Sequence, residues 1–254
     1  MVATHSYDHI YVSPHLDDVV LSCGGRIWRQ TQMGERVLVV TVFAGGPRPE
    51  LRLSPFARQL HARWEESGDA AAARRLEDLQ AMTTLGAQAV HWPYTDCIYR
   101  QISSGEYPYA SEESLWGPIH PEEEALVAEI RERLTSLPHL QWSAVYAPLG
   151  AGNHVDHQIV RQAVENLGRV LFYEDYPYAE DEGTVRSKLN PGDWRADIHW
   201  LSEHALEAKA SAIACYRSQL STFWTSIGEM RSAIRRYAEQ VGQSAPAERY
   251  WRPI

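Results

Sequence analysis

Val37-Leu38-Val39-Val40-Thr41-Val42-Phe43 is a run of seven largely β-branched residues with no alternation of apolar and polar side chains. Such a run describes a strand covered on both faces, and strands of that kind belong almost entirely to parallel sheets flanked by helices. A shorter run, Ile10-Tyr11-Val12, comes before it. Between the two, Val19, Val20, Cys23, Ile27 and Trp28 recur at helical spacing and Gly34 is a natural stop. Strand, helix and strand make a right-handed βαβ unit. Further strands are expected at 89–92, 144–147 and 170–173, with an edge strand at 198–201. Helices are expected from Ser54 to Glu66 with Gly68 as breaker, from Asp69 to Leu85, from Pro121 to Leu134, from Val155 to Leu167, from the cap Ser202 to Cys215, and over 227–241. The fold class is α/β: a Rossmann-like, mostly parallel sheet with helices on both faces. The 254 residues fit one domain, 1–254.

The first strand runs into Ser13-Pro14-His15-Leu16-Asp17-Asp18, at the carboxyl end where open α/β sheets hold their ligands. His15 and Asp18 are three apart and share a face if a helix starts there, while Asp17 projects elsewhere. An imidazole and a carboxylate converging suit a divalent metal, and the second carboxylate suits proton transfer. The plainer reading is a helix start decorated with Asp because the dipole favours anions. A second stretch, Gly150-Ala151-Gly152-Asn153-His154-Val155-Asp156-His157-Gln158, again follows an apolar run and precedes a helical pattern. Two loops at one edge of a parallel sheet meet in space, so the two motifs together outweigh an incidental His pair among 11 histidines.

Here the chain resembles a family. Pro14-His15-Leu16-Asp17-Asp18 and His154-Val155-Asp156-His157 are similar to the two signatures of the LmbE-like, or PIG-L-type, zinc-dependent de-N-acetylases. That family removes acetyl groups from N-acetylglucosamine units in precursors of glycolipids, low-molecular-weight thiols and antibiotics. The resemblance extends to Arg74-Arg75-Leu76-Glu77, Leu85-Gly86, Asp96, and Lys209 through Tyr216-Arg217-Ser218-Gln219. It implies an LmbE-like fold and removal of the N-acetyl group from an N-acetylglucosamine-type sugar conjugate. His15, Asp18 and His157 are implied as ligands of Zn2+, or of Fe2+, with one position left for water. Asp17 is implied as the base that takes the water's proton, His154 as the group that stabilises the oxyanion, and Asp156 as the partner that orients a histidine. Leu16 stands where many members carry proline. Gly152 stands where some carry a tyrosine that helps hold the transition state.

Arg74 on its helix reads either as a surface pair with Glu77 or as a substrate contact. Asp96, in the loop after the third strand, reads as a turn former or as a partner of sugar hydroxyls. Glu174-Asp175-Tyr176-Pro177-Tyr178 offers carboxylates and aromatic faces of the kind sugars bind, which makes Glu174 a candidate substrate ligand. Residues 100–118 form a long irregular segment suited to a lid or binding loop. Gly24-Gly25 lie inside the first helix, where each glycine costs about 1 kcal/mol relative to alanine, so the sheet or a ligand approaches closely there.

Formal net charge is −9 and Lys188 and Lys209 are the only lysines. Without a basic stripe, nucleic acid and anionic membrane surfaces are poor partners. No transmembrane run is present, and the opening Met1-Val2-Ala3-Thr4-His5-Ser6 lacks the regions of a signal peptide, so a cytoplasmic protein is expected. Cys23, Cys97 and Cys215 contain no CxxC pair and are expected as reduced thiols, Cys23 in the core. A dinucleotide-binding domain is set aside because no G-x-G-x-x-G follows the first strand. The alternatives still open are an amidase acting on a sugar-thiol conjugate and a non-catalytic metal- or sugar-binding protein on the same fold.

Overall fold

The structure is a computed structural model that describes residues 6–63, 70–138 and 140–254. In chain order the elements are β1 (His9–Ser13), α1 (Asp18–Gln32), β2 (Val37–Thr41), α2 (Pro55–Arg63), α3 (Ala70–Leu85) and β3 (Gln88–His91). Next come α4 (Glu112–Leu115), α5 (Glu124–Thr135), β4 (Ala144–Pro148), α6 (Val155–Val164), β5 (Val170–Tyr173), α7 (Glu182–Arg186) and β6 (Trp194–Trp200). The chain closes with α8 (Glu203–Ile213), α9 (Arg217–Phe223), α10 (Ile227–Val241) and β7 (Ala247–Pro253). The helix end expected at Glu66, the breaker Gly68 and the cap Asp69 lie outside the described residues, as do positions 1–5. No helix among the described residues is long and apolar enough to cross a membrane.

The seven strands form one sheet in the order β3-β2-β1-β4-β5-β7-β6. The first five are mutually parallel, whereas β7 runs antiparallel to both β5 and β6. All five residues of β2 are buried between two neighbours, as its unbroken apolar composition requires. The chain steps outward from β1 to β3 and then resumes on the other side of β1 with β4. That reversal opens a crevice at the carboxyl ends of β1 and β4, the usual ligand position in such sheets.

Successive side chains alternate between two cores. Tyr11, Val37, Val39, Tyr146 and Tyr173 pack with residues of α1, α3, α8 and α10 on one face. Ile10, Val12, Leu38, Val40, Val145, Ala147 and Phe172 pack with residues of α5 and α6 on the other. This is the period-2 geometry of strands with helices on both sides. Cys23 is fully buried in the first core, as expected.

The elements not expected are the short helices α4, α7 and α9, and the strand β7, which separates the edge strand β6 from the parallel set. Strand β7 also explains the paired glycines. Glu248 of β7 accepts from the amides of Gly25 and Arg26, at 3.0 Å each, and from Lys209 Nζ at 2.8 Å. A Cβ on Gly25 would sit 2.6 Å from Leu201 Cδ1, and one on Gly24 would sit 3.1 Å from Lys209 Cγ. The close approach at Gly24-Gly25 therefore comes from Lys209 of α8, from Leu201 just ahead of that helix and from Glu248 of β7.

Lys209 and Glu248 are both about 4 % exposed. Truncating one partner of a buried ion pair strands the other charge, at a cost of about 3–5 kcal/mol. Glu248→Ala should lower the thermal midpoint by several degrees in a calorimetric scan, whereas a scan that matches wild type would mean this clamp carries no stability.

Candidate active site

Ser13, at the end of β1, takes the chain into α1. Its hydroxyl donates to the carbonyl of His15 (2.7 Å) and accepts from the amide of Val19 (3.3 Å). Asp17 makes no capping bond with its own side chain and holds a positive φ of 120°. For a non-glycine residue that conformation costs on the order of 1–3 kcal/mol. The strain frees the Asp17 carboxylate from the helix start and lets it line the cavity above the sheet. Asp18 accepts from the amide of His15 at 2.8 Å, which folds the motif onto itself.

At the neighbouring strand end, His154 caps α6 by accepting from the amide of Asp156 at its Nδ1 (3.3 Å). That bond uses the Nδ1 lone pair, so in the neutral ring the proton sits on Nε2. Burial, and then the neighbouring His15, lower the pKa of His154 to about 3, so the ring is an uncharged donor.

The two motifs meet on Asp18. Its Oδ2 lies 3.2 Å from His15 Nδ1 and 3.3 Å from His157 Nε2. A tetrahedral metal with bonds of about 2.0–2.1 Å has ligand-to-ligand edges of roughly 3.3 Å. Asp18 stands at about that edge from each of the two histidine nitrogens, which suits a divalent metal held between them. The outer nitrogen of each histidine is held by a buried carboxylate: His15 Nε2 donates to Asp156 (2.9 Å) and His157 Nδ1 donates to Asp175 (2.7 Å). These bonds hold the two rings from opposite nitrogens and turn the inner nitrogen of each towards Asp18. Ring nitrogens of His15, His154 and His157 all lie within 4.8 Å of one another. His154 differs from the other two in having a main-chain partner in place of a carboxylate.

Both supporting carboxylates are anchored in turn. Asp175 accepts from the amides of Gly150 (2.8 Å) and Ala151 (2.9 Å), which ties the loop after β5 to the loop after β4. Asp156 is fully buried, accepts from the amide of Cys97 (3.1 Å), and lies 2.6 Å from Arg100 Nη1 in an ion contact too bent for a hydrogen bond. Arg100 is itself paired with Glu123.

The electrostatics describe a place short of positive charge. Burial, and then repulsion by Asp18, raise the pKa of Asp17 to about 7, against the pull of Arg74. Burial opposes charge on His157, yet Asp18 and Asp175 raise its pKa to about 9. Burial likewise opposes charge on His15, but Asp156, Asp18 and Asp96 lift it well above the usual value.

The cavity over this cluster has a volume of about 580 Å³. Arg74 and Asp96 line it, so the structure brings both of these expected residues to the cluster. The Asp96 carboxylate also caps the turn at 97–99, accepting from the amide of Ile98 (3.2 Å). Glu174 is a correction. It is buried on the far side of its strand end, where its carboxylate accepts from Arg249, Trp251 and Tyr237, and it does not line the cavity. The arginine and indole of β7 claim that carboxylate, and β7 was not anticipated. Asp175, its neighbour, takes the place next to His157.

Glu77 pairs not with Arg74 but with Ser218, accepting from its amide (3.0 Å) and its hydroxyl (2.6 Å). Asp78 accepts from Tyr216 Oη at 2.6 Å. These bonds fasten α9 to α3 and place Gln219 and Phe223 on the cavity wall. The 100–118 segment supplies the facing wall through Leu115 and Trp116, held by bonds from Asn153 Nδ2 and Gln158 Nε2 to the carbonyls of Trp116 and Gly117.

Residues 10–167 match the PIG-L family, described as GlcNAc-PI de-N-acetylase. The chain belongs to this family. It is 31% identical over 227 residues to 2'-N-acetylparomamine deacetylase of Niallia circulans, covering 83% of this chain and 80% of that protein. Among solved structures, the zinc-inhibited form of teicoplanin deacetylase superposes with a TM-score of 0.83 at 28% identity, covering 96% of this chain and 97% of the other. The A40926 pseudoaglycone deacetylase gives 0.73 at 28% identity over 98% of each chain. The PIG-L match ends at residue 167, so Asp175, Tyr178 and α9 lie beyond it.

Carboxylates that orient metal-bound histidines typically contribute 10- to 100-fold to metal affinity. Asp175→Asn should weaken the affinity for zinc by about that factor in a chelator competition. His157→Ala should empty the site altogether, and undiminished zinc in that variant would remove His157 from the coordination shell.

Proposed function

We propose that this chain is a zinc-dependent hydrolase that removes the acetyl group from an N-acetylated amino sugar conjugate. The observation that carries the reading is the arrangement around Asp18. Two histidines pinned from behind by Asp156 and Asp175 turn their inner nitrogens to one carboxylate oxygen at 3.2 and 3.3 Å, and the buried Asp17 stands next in sequence. His15, Asp18 and His157 hold the metal. Two imidazoles and one carboxylate suit zinc, with Fe2+ as the other metal such a donor set takes. When bound there, the metal supplies Lewis acidity that polarises water and the acetyl carbonyl.

Asp17 accepts a proton from the attacking water as the water oxygen bonds to the carbonyl carbon and the C=O pair moves to the carbonyl oxygen. His154, neutral and donating through Nε2–H, stabilises that oxygen. Collapse breaks the C–N bond, Asp17 returns the proton to the departing nitrogen, and acetate and the free amine result. Arg74 and Asp96, on the cavity wall, bind the sugar. The names of the relatives support an acetamide as the scissile bond, and a cavity lined by Trp116 beside polar groups supports a sugar carrier. With Cys23, Cys97 and Cys215 unpaired, we place the enzyme in the reducing cytoplasm.

An amidase on a sugar-thiol conjugate would use the same groups on a different amide. A non-catalytic binding protein is disfavoured by Asp17, whose strained backbone and buried carboxylate serve no purpose in holding a metal.

Asp17→Asn keeps size and polarity but removes the proton acceptor. Acetate release from N-acetylated amino sugars should fall by about 100- to 10,000-fold while metal content and fold are retained; wild-type turnover in this variant would sink the mechanism. Chelator treatment of the native protein should abolish acetate release, and one equivalent of zinc should restore it.

A further inference from the structure

Tyr178 begins the short turn 178–180 that follows β5. Its ring lies directly on Gly152, where a Cβ would stand 2.6 Å from Tyr178 Cγ and 2.7 Å from its Cβ. Gly152 also has a φ of +83°, a conformation that disfavours any side chain. The glycine thus leaves the space that the tyrosine fills. The ring meets Trp116 edge-on at 5.3 Å and His157 at 6.0 Å, and Trp116 in turn meets His154 at 5.2 Å. Tyr178 and His154 therefore both stand against one indole, on the wall of the same cavity.

The turn is tied down at both ends. The amide of Ala179 donates to the carbonyl of Asp175, and Thr184 Oγ1 donates to the carbonyl of Tyr178, both at 2.9 Å. Asp175 is the residue that orients His157, so the phenol and this metal-ligand candidate are placed by the same short segment. Tyr178 lines the cavity, and among the described residues none accepts a hydrogen bond from its hydroxyl. A phenol carries its proton at neutral pH and is a donor. A fixed donor with no protein acceptor, bordering the metal ligands, is arranged for an oxygen that arrives with the substrate.

We propose that the Tyr178 hydroxyl is a second catalytic donor: with His154, it hydrogen-bonds the acetyl oxygen as that oxygen gains negative charge. The role rests on the deacetylase reading above. It assigns the reaction a residue from the loop after β5, outside both histidine motifs. Two preorganised donors straddling the carbonyl favour the tetrahedral geometry over the planar amide, so the loss of one shows in turnover and not in substrate binding.

Tyr178→Phe removes only the hydroxyl. Removal of one such donor typically costs about 100- to 1,000-fold in kcat, and this is the expected loss, with KM within about threefold of wild type and metal content unchanged. Gly152→Ala, whose new methyl displaces the ring, should lose turnover similarly. Binding of a sugar methylphosphonamidate, with a tetrahedral phosphorus in place of the acetyl carbon, supplies a readout independent of turnover: Tyr178→Phe should bind it about 100-fold more weakly than wild type does while binding the product amine equally. A Tyr178→Phe kcat within about twofold of wild type, or a raised KM at unchanged kcat, overturns the assignment and leaves the deacetylase reading standing. A wild-type protein that neither releases acetate nor prefers the phosphonamidate overturns both.

Discussion

The parallel pairing of β1 with β4 is the contact on which the site depends. His9 opposes Ala144, Ile10 opposes Val145 and Tyr11 opposes Tyr146. The strands leave this register at the same edge of the sheet, and there two loops about 140 residues apart in sequence deliver His15, Asp18 and His157 to one point. A slip of one residue would turn Tyr11 and Tyr146 away from their shared core, where they stack at 4.1 Å. The pattern that buries the two strands is therefore also what places these three side chains.

Around that point the protein assembles more negative than positive charge. Asp17, Asp18, Asp156 and Asp175 are all buried, and the described residues place Arg100 against only one of them. Buried carboxylates at this density are costly unless a cation or tightly held protons balance them. A divalent ion bound as proposed would supply that balance, and its binding would contribute to stability as well as to chemistry. The carboxylates also divide the work by geometry: Asp156 and Asp175 face backbone amides and outer ring nitrogens, Asp18 faces the inner nitrogens, and Asp17, displaced by its positive φ, faces the cavity.

Much of this was legible in the sequence where one periodicity ruled a segment. The unbroken run at 37–43 announced a covered strand, and the His/Asp spacings after two apolar runs announced that His15, Asp18 and His157 would meet. What escaped notice was held by charge in place of apolar pattern. Strand β7 reads Ala247-Glu248-Arg249-Tyr250-Trp251-Arg252-Pro253, and its buried Glu248 and half-buried Arg249 are satisfied by Lys209 and Glu174, partners far away in sequence. No local pattern reveals such pairings, which is why Glu174 looked available for a sugar. Asp175 was seen only as one more loop carboxylate, because its partner His157 becomes a neighbour only once β4 and β5 pair. Helix α9 is short: Leu220 and Phe223 alone pack it against the first core, and Glu77 and Asp78 fasten its start by hydrogen bonds.

The backbone of Asp17 sets two kinds of selection against each other. A residue held at positive φ, with its carboxylate buried beside another carboxylate, is a local loss that the rest of the fold must absorb. Replacement by glycine relieves the backbone and removes the repulsion, so variation screened for robustness alone drifts away from aspartate at this position. Libraries enriched for heat tolerance without an activity screen are therefore expected to collect chains that are sturdier and inert, and position 17 records whether a lineage has been kept for its chemistry or only for its fold.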